Sequence, residues 1–265
     1  MSTSTASTTS TSFDVDGAIA TLTFNRPEAK NALTWEMYDA LCHACERVDF
    51  DRTIHVFIIK GEGGAFAAGT EISQFTTVTT REDALAYERK LDSIIDRLER
   101  VDVATIAQVE GVAAGGGCAI ALACDLRVCT PAARFGVPIA RTLGNCLSVT
   151  NYARLLELVG PAHLKDLLFT GRLIDAAEAK SIGLVSRMAE PDTIATVVKE
   201  LAQTIAANAP LSIRATKEAV RRILRSRRPE HEATDDLIAQ CYTSEDFRNA
   251  VAAFLEKKSP TFTGR

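Results

Sequence analysis

Apolar and polar positions along the chain alternate between two kinds of pattern. Strand-like stretches are predicted at Ala18–Phe24, Ile54–Lys60, Ala104–Val109 and Asp125–Cys129, with shorter ones at Ala133–Gly136 and Leu184–Met188. Helical periodicity fills the intervals: Leu33–Val48, Glu82–Arg100, Gly117–Ala123, Val149–Leu158, His163–Leu168 and Ala176–Ser181. Strands alternating with helices predict an α/β core. After Pro191 the pattern is helical only, with helices expected at Thr193–Ala206, Leu211–Leu224, Glu230–Tyr242 and Glu245–Lys257. The expected organisation is a disordered polar tail over 1–12, an α/β core over 13–192 and a C-terminal helical region over 193–265.

Composition narrows the classes without choosing among them. A chain of 265 residues can bury a large core and lies near the upper end for one domain. A net charge of -4 gives no global attraction to nucleic acid or to an anionic membrane. No apolar run reaches the ~18–20 residues of a membrane span. The opening MSTSTASTTSTS lacks the basic and apolar segments of a secretory signal, so a cytoplasmic location and free thiols are expected. Cys42 and Cys45 form a CxxC, but inside a helical pattern and with no second ligand pair at suitable spacing, so no metal is expected there. The basic run from Arg221 to Arg228 reads as a solvated helix face rather than a nucleic-acid site.

Candidate chemistry concentrates in two glycine-rich segments. Gly111 to Asp125 carries a strand into the triplet Gly115-Gly116-Gly117, which opens a short apolar helix. Glycines let a backbone approach a ligand closely, and a helix start offers unpaired N–H groups with a partial positive charge. Neither a Walker loop nor a dinucleotide fingerprint is present. Gly61 to Glu71 follows the strand Ile54–Lys60 and is similarly rich in small residues. Two such loops could aim two amides at one carbonyl oxygen. Equally, each could be only a tight turn.

These segments, with three others, resemble the crotonase (enoyl-CoA hydratase/isomerase) family. Asn25 to Leu33 matches its NRPxxxNAL signature, Ala65 to Glu71 its AFxAGxD loop, and Gly111 to Asp125 its glycine-loop segment. Leu168 to Ser186 and Ser244 to Pro260 resemble its later stretches. The resemblance implies a spiral of ββα units with a C-terminal helical region that builds a homotrimer or a dimer of trimers. It implies an acyl-CoA substrate, no cofactor, and a backbone oxyanion hole from the amides of Thr70 and Gly116, so that Thr70→Ala is nearly silent if the threonine hydroxyl plays no part. Ala68 falls where the family's backbone meets adenine, Glu28, Ala29 and Lys30 fall along the CoA nucleotide, and Lys257 matches a basic position near its phosphates. A solvated helix-end lysine is the other reading of Lys257.

Two positions depart from the hydratase pattern. Ala119 and Ile139 stand where the resemblance implies the water-activating and proton-delivering glutamates. Each missing acid or base forfeits about 10²–10⁴-fold in rate. Cys146, near the position of an aspartate nucleophile in a related dehalogenase, is a candidate nucleophile or a small buried residue. Arg141 is a candidate partner for a substrate carboxylate or a structural ion pair. Glu71 is expected to hold its loop rather than move protons.

Overall fold

The structure, a computed structural model, describes residues 10–265. Strand β1 (Thr11–Asp16) pairs antiparallel with β2 (Ile19–Phe24), and β3 (Val56–Gly61) and β4 (Ala104–Val109) extend the sheet in parallel. A smaller sheet joins β5 (Val112–Ala114), β7 (Arg134–Gly136) and β8 (Ile174–Asp175), while β6 (Leu126–Cys129) and β9 (Arg187–Met188) complete the larger one. The larger sheet has the order β1-β2-β3-β4-β6-β9, so its central strands are covered on both faces.

That double coverage explains why both faces of these strands carry buried apolar residues, most fully in β3. In β3, Phe57 and Ile59 join the main core, whereas Val56 and Ile58 face the opposite way into a second cluster with Ile106 and Val128. The main core is closed by α1 (Trp35–Phe50), α2 (Arg81–Glu99) and α3 (Gly116–Ala123). Thr34 and Thr80 cap the first two helices, Thr80 in a reciprocal capping box with Asp83. The buried stripe of α2 runs Ala84, Leu91, Ile95 and Leu98, and Glu88 and Asp92 lie in it, both buried.

After the smaller sheet come α4 (Ile139–Thr142), α5 (Val149–Thr170) and α6 (Ala176–Ser181). Two helices are predicted where α5 lies, and the break between them survives as a kink: Gly160 has φ 73 and ψ 169, with Pro161 behind it. In the C-terminal region, α7 (Ile194–Ala206) packs Ile194, Val198, Leu201 and Ala202 onto the second face of the large sheet. Beyond it, α8 (Pro210–Arg225) buries no residue, and α9 (Asp235–Tyr242) and α10 (Glu245–Leu255) return to the main core through Ile238, Tyr242, Phe247 and Val251.

Several expectations are corrected at the edges of elements. Thr11 and Ser12, expected in the tail, pair in β1, and residues 1–9 lie outside the described part. Strands β5 and β8 and helix α4 are too short for periodicity to register. The helix expected at Glu230–Tyr242 divides into a 3₁₀ turn, His231–Thr234, and α9. Among the described residues, no helix is long and apolar enough to cross a membrane, and no cluster of three or more His, Cys, Asp or Glu could hold a metal.

Candidate active site

The segment Asn25–Leu33 is the clasp that shapes the first glycine loop. Asn31 is fully buried with φ 56, and its amide nitrogen donates to the carbonyls of Glu62 and Ala65 at 2.9 and 2.7 Å. Its side-chain oxygen accepts from the backbone N–H of Arg26 at 2.7 Å. The Arg26 guanidinium in turn donates to the carbonyl of Ala32 and to Glu71, at 2.7 and 3.3 Å. Glu71 is thus engaged in bracing the loop, as expected from its position.

Leu33 and Thr70 meet in a parallel bridge: Leu33 N–H donates to Gly69 O, and Glu71 N–H donates to Leu33 O. The N–H of Thr70 itself is not used, and among the described residues it has no acceptor. The second loop lies alongside. Ala114 N–H donates to Ala67 O, and Gly115, at φ 49, turns the chain into α3 so that Gly116 begins the helix with an unpaired N–H. A Cβ at Gly116 would sit 2.2 Å from the Tyr38 hydroxyl and 2.8 Å from Thr70 Oγ1, so only glycine fits.

Thr70, Gly116 and the residues around them line one cavity of about 290 Å³. Its wall is largely apolar, with Ile72, Phe75, Leu91, Val137, Leu143 and Phe254. Ala29 and Ala68 also line it, and Ala68 N–H is tied to Lys30 O at 3.0 Å. Ala119 and Ile139, the positions read as lacking glutamates, both face this cavity. A separate cleft of about 240 Å³, between Val48–His55 and the start of α8, contains neither glycine loop.

The Thr70 hydroxyl has a partner the sequence did not disclose. It hydrogen-bonds the Tyr38 hydroxyl at 2.8 Å, and Tyr38 is fully buried. Burial pushes the Tyr38 phenol far above its ordinary range, so it stays neutral. Thr70→Ala would be nearly silent only if the hydroxyl played no part, and here it has a partner. Thr70→Ala should cost about 1 kcal/mol in urea unfolding, because a buried hydroxyl loses its partner. Thr70→Ser, which keeps the hydroxyl, should recover most of that loss.

Other residues singled out from sequence fall outside the cavity wall. Glu28, Lys30, Arg141 and Lys257 are exposed, and none lines it. Lys257 stands just past α10 with φ 57, where the helix has ended. Cys146 is a correction. It is buried and does not line the cavity, and the neighbouring Cys241 thiol together with burial holds its own thiol well above the ordinary range. A protonated thiol outside the cavity is a poor nucleophile. The basic run is structural in part, since Arg221 and Arg222 pair with Glu218, and Arg228 bridges Glu99 and Glu157.

What sequence reading missed is a polar group at the far wall. Glu88, Asn145 and Tyr242 all line the cavity. Asn145 Nδ2 donates to the Tyr242 hydroxyl at 2.9 Å, and that hydroxyl donates to Glu88 Oε1. The other carboxyl oxygen, Oε2, is buried without a partner, as is Asn145 Oδ1. Burial raises the Glu88 carboxyl to about 8, against the opposing donation from Tyr242. The signal was present in the sequence: a glutamate in the apolar stripe Ala84, Leu91, Ile95 and Leu98 of an amphipathic helix.

Comparison with known proteins assigns the class. The family model for enoyl-CoA hydratase/isomerase matches residues 14–265. A probable enoyl-CoA hydratase of Mycobacterium leprae is 36% identical over 256 residues, covering 95% of this chain and 97% of its own. The short-chain-enoyl-CoA hydratase of Clostridium acetobutylicum is 34% identical over 249 residues, covering 92% and 93%. Among solved structures, an enoyl-CoA hydratase/carnithine racemase from Magnetospirillum magneticum matches with a TM-score of 0.79 and 35% identity, covering 98% and 97%. A methylmalonyl-CoA decarboxylase complexed with 2S-carboxypropyl-CoA matches with a TM-score of 0.88 and 25% identity, covering 98% and 100%. With its two glycine loops on one cavity, the chain is a crotonase-fold protein, an α/β core with a C-terminal helical region. It belongs to the enoyl-CoA hydratase/isomerase family.

Proposed function

We propose that this chain binds an acyl-CoA thioester in the cavity and stabilises negative charge on its carbonyl oxygen, as an enolate or a tetrahedral oxyanion. The observation that carries the reading is a pair of main-chain N–H groups, Thr70 and Gly116, that have no acceptor among the described residues and lie on separate loops lining one apolar cavity. Preorganised donors in a water-poor site stabilise developing charge strongly because they need no reorganisation. The thioester lies between the loops, and its CoA runs past Ala68 and Ala29 toward Glu28 and Lys30. Lys257 contributes charge near the phosphates, and acyl-CoA is the substrate with no further cofactor.

Hydration by two carboxylates does not suit this cavity, because Ala119 and Ile139 occupy the two wall positions and neither can exchange a proton. The decarboxylase that shares the fold supports a scaffold open to other chemistry at a thioester. With crotonyl-CoA, loss of the enoyl absorbance should be far slower than the roughly hundreds of turnovers per second of an efficient enzyme. Ala119→Glu combined with Ile139→Glu should raise it. A fast wild-type rate would reject an altered reaction. The second reading, a non-catalytic acyl-CoA-binding protein, rests on the same two positions and predicts tight binding with no turnover of any acyl-CoA.

The assembly is a homotrimer or a dimer of trimers. Helix α8 buries nothing and leaves Leu211, Val220 and Ile223 exposed, an apolar surface that self-association would cover. Light scattering at micromolar concentration should return three or six times the chain mass, and a stable monomer would overturn the assembly.

A further inference from the structure

Four ionisable side chains line the cavity: Glu71, Tyr87, Glu88 and Tyr242. Glu71 is paired with Arg26, and burial holds both phenols well above the range where they ionise. Glu88 is different. It sits on α2, stands 4% exposed, and among the described residues its Oε2 has no hydrogen-bond partner, the Ser148 N–H only lying near the carboxyl.

The residues around it hold it in place. Ser148, the N-cap of α5, donates to Asp92 at 2.6 Å, and Asn151 donates to the same oxygen at 3.0 Å. These bonds tie the segment carrying Asn145 to α2, one turn from Glu88. Asn145 then donates to Tyr242, and Tyr242 to Glu88, so the carboxyl is held from a third element, α9. A buried acid with one oxygen fixed and the other free costs stability, and such a cost persists where the free oxygen has work to do.

Resting on the acyl-CoA reading above, we infer that Glu88 is the proton-carrying group of this active site, supplied by α2 in place of carboxylates at positions 119 and 139. As carboxylate it takes a proton from the carbon next to the thioester carbonyl. The C–H bond breaks, its electron pair forms the enolate, and the charge moves to the oxygen held by the Thr70 and Gly116 amides. The carboxylic acid so formed returns a proton to the same carbon or, across an unsaturated chain, to the γ carbon. No oxidant, metal or water is consumed. One carboxyl acting first as base and then as acid suits proton exchange or double-bond isomerisation better than hydration.

The titratable groups facing Glu88 are Asp92 and Tyr87 on α2, Tyr38 on α1, Cys146 before α5, Tyr152 on α5 and Tyr242 on α9. None of these groups is a cation; only the donors Tyr242 O–H and Ser148 N–H favour the carboxylate, burial outweighs them, and the base form should fill only near pH 8.

The test uses the full chain and butyryl-CoA in D₂O, following deuterium at C2 by NMR and binding by calorimetry. Wild type should bind and exchange, with a rate that rises with pH to a midpoint near 8. Glu88→Gln should still bind but exchange about 10²–10⁴-fold more slowly. Tyr242→Phe removes the donor that favours the carboxylate, so the midpoint should move to higher pH. That shift is a readout a purely structural role would not produce, and it remains available if Glu88→Gln fails to fold. Binding without wild-type exchange, or exchange unchanged in Glu88→Gln, overturns the assignment of Glu88 alone. No binding of butyryl-CoA or crotonyl-CoA overturns the acyl-CoA reading and this inference with it.

Discussion

Thr70→Pro should lower turnover of an acyl-CoA substrate by roughly 10²–10³-fold, about 3–4 kcal/mol of transition-state stabilisation. Proline deletes the N–H itself. The bridge around it survives on paper, because it uses Leu33 N–H, Gly69 O, Glu71 N–H and Leu33 O, none of which belongs to Thr70. Thr70→Ala keeps the amide and should keep most of the turnover while losing about 1 kcal/mol of stability through Tyr38. The two variants thus separate the amide from the hydroxyl. Gly116→Ala probes the second donor sterically, since its methyl would meet the Tyr38 hydroxyl at 2.2 Å. If these loops were only tight turns, folded Thr70→Pro protein would turn over like wild type. A bound acyl-CoA with its thioester oxygen far from both amides would also sink the oxyanion-hole assignment.

The second large effect is on stability against pH. Glu88 binds its proton up to about pH 8 when folded, against 4.5 for an ordinary glutamate. The folded state therefore holds more protons than the unfolded state between those values, and stability falls as pH rises through that window. The shift corresponds to roughly 4–5 kcal/mol lost by pH 9 relative to pH 4.5. Asp92 is also raised by burial and acts with the same sign. Glu88→Gln cannot ionise, yet it can still accept from Tyr242. Its urea midpoint should thus match wild type near pH 5 and exceed it at pH 9. Parallel pH profiles for the two proteins would show that Glu88 does not titrate in this range.

The sequence by itself determined the class. Strands β2, β3, β4 and β6 were legible because a strand buried on both faces is rich in apolar and β-branched residues, and the helices because their apolar stripes recur every three to four residues. The glycine loops were legible because backbone chemistry depends on the absence of a side chain, which a sequence records directly. Asn31 could be read as part of a motif, but not as the clasp linking Arg26 to Glu62 and Ala65, since those bonds join segments 31 and 34 residues apart. Cys146 shows the converse. Its place near a helix start suggested a nucleophile, and its burial beside Cys241, 95 residues away, withdrew it. Glu88 was visible only as an acid in an apolar stripe. That it shares a cavity with Thr70, Gly116, Asn145 and Tyr242 is decided by α2, the two glycine loops, the segment before α5, and α9 converging. Periodicity reports which face of an element is buried, not what lies opposite it; only the tertiary structure supplies the partner, and with it the chemistry.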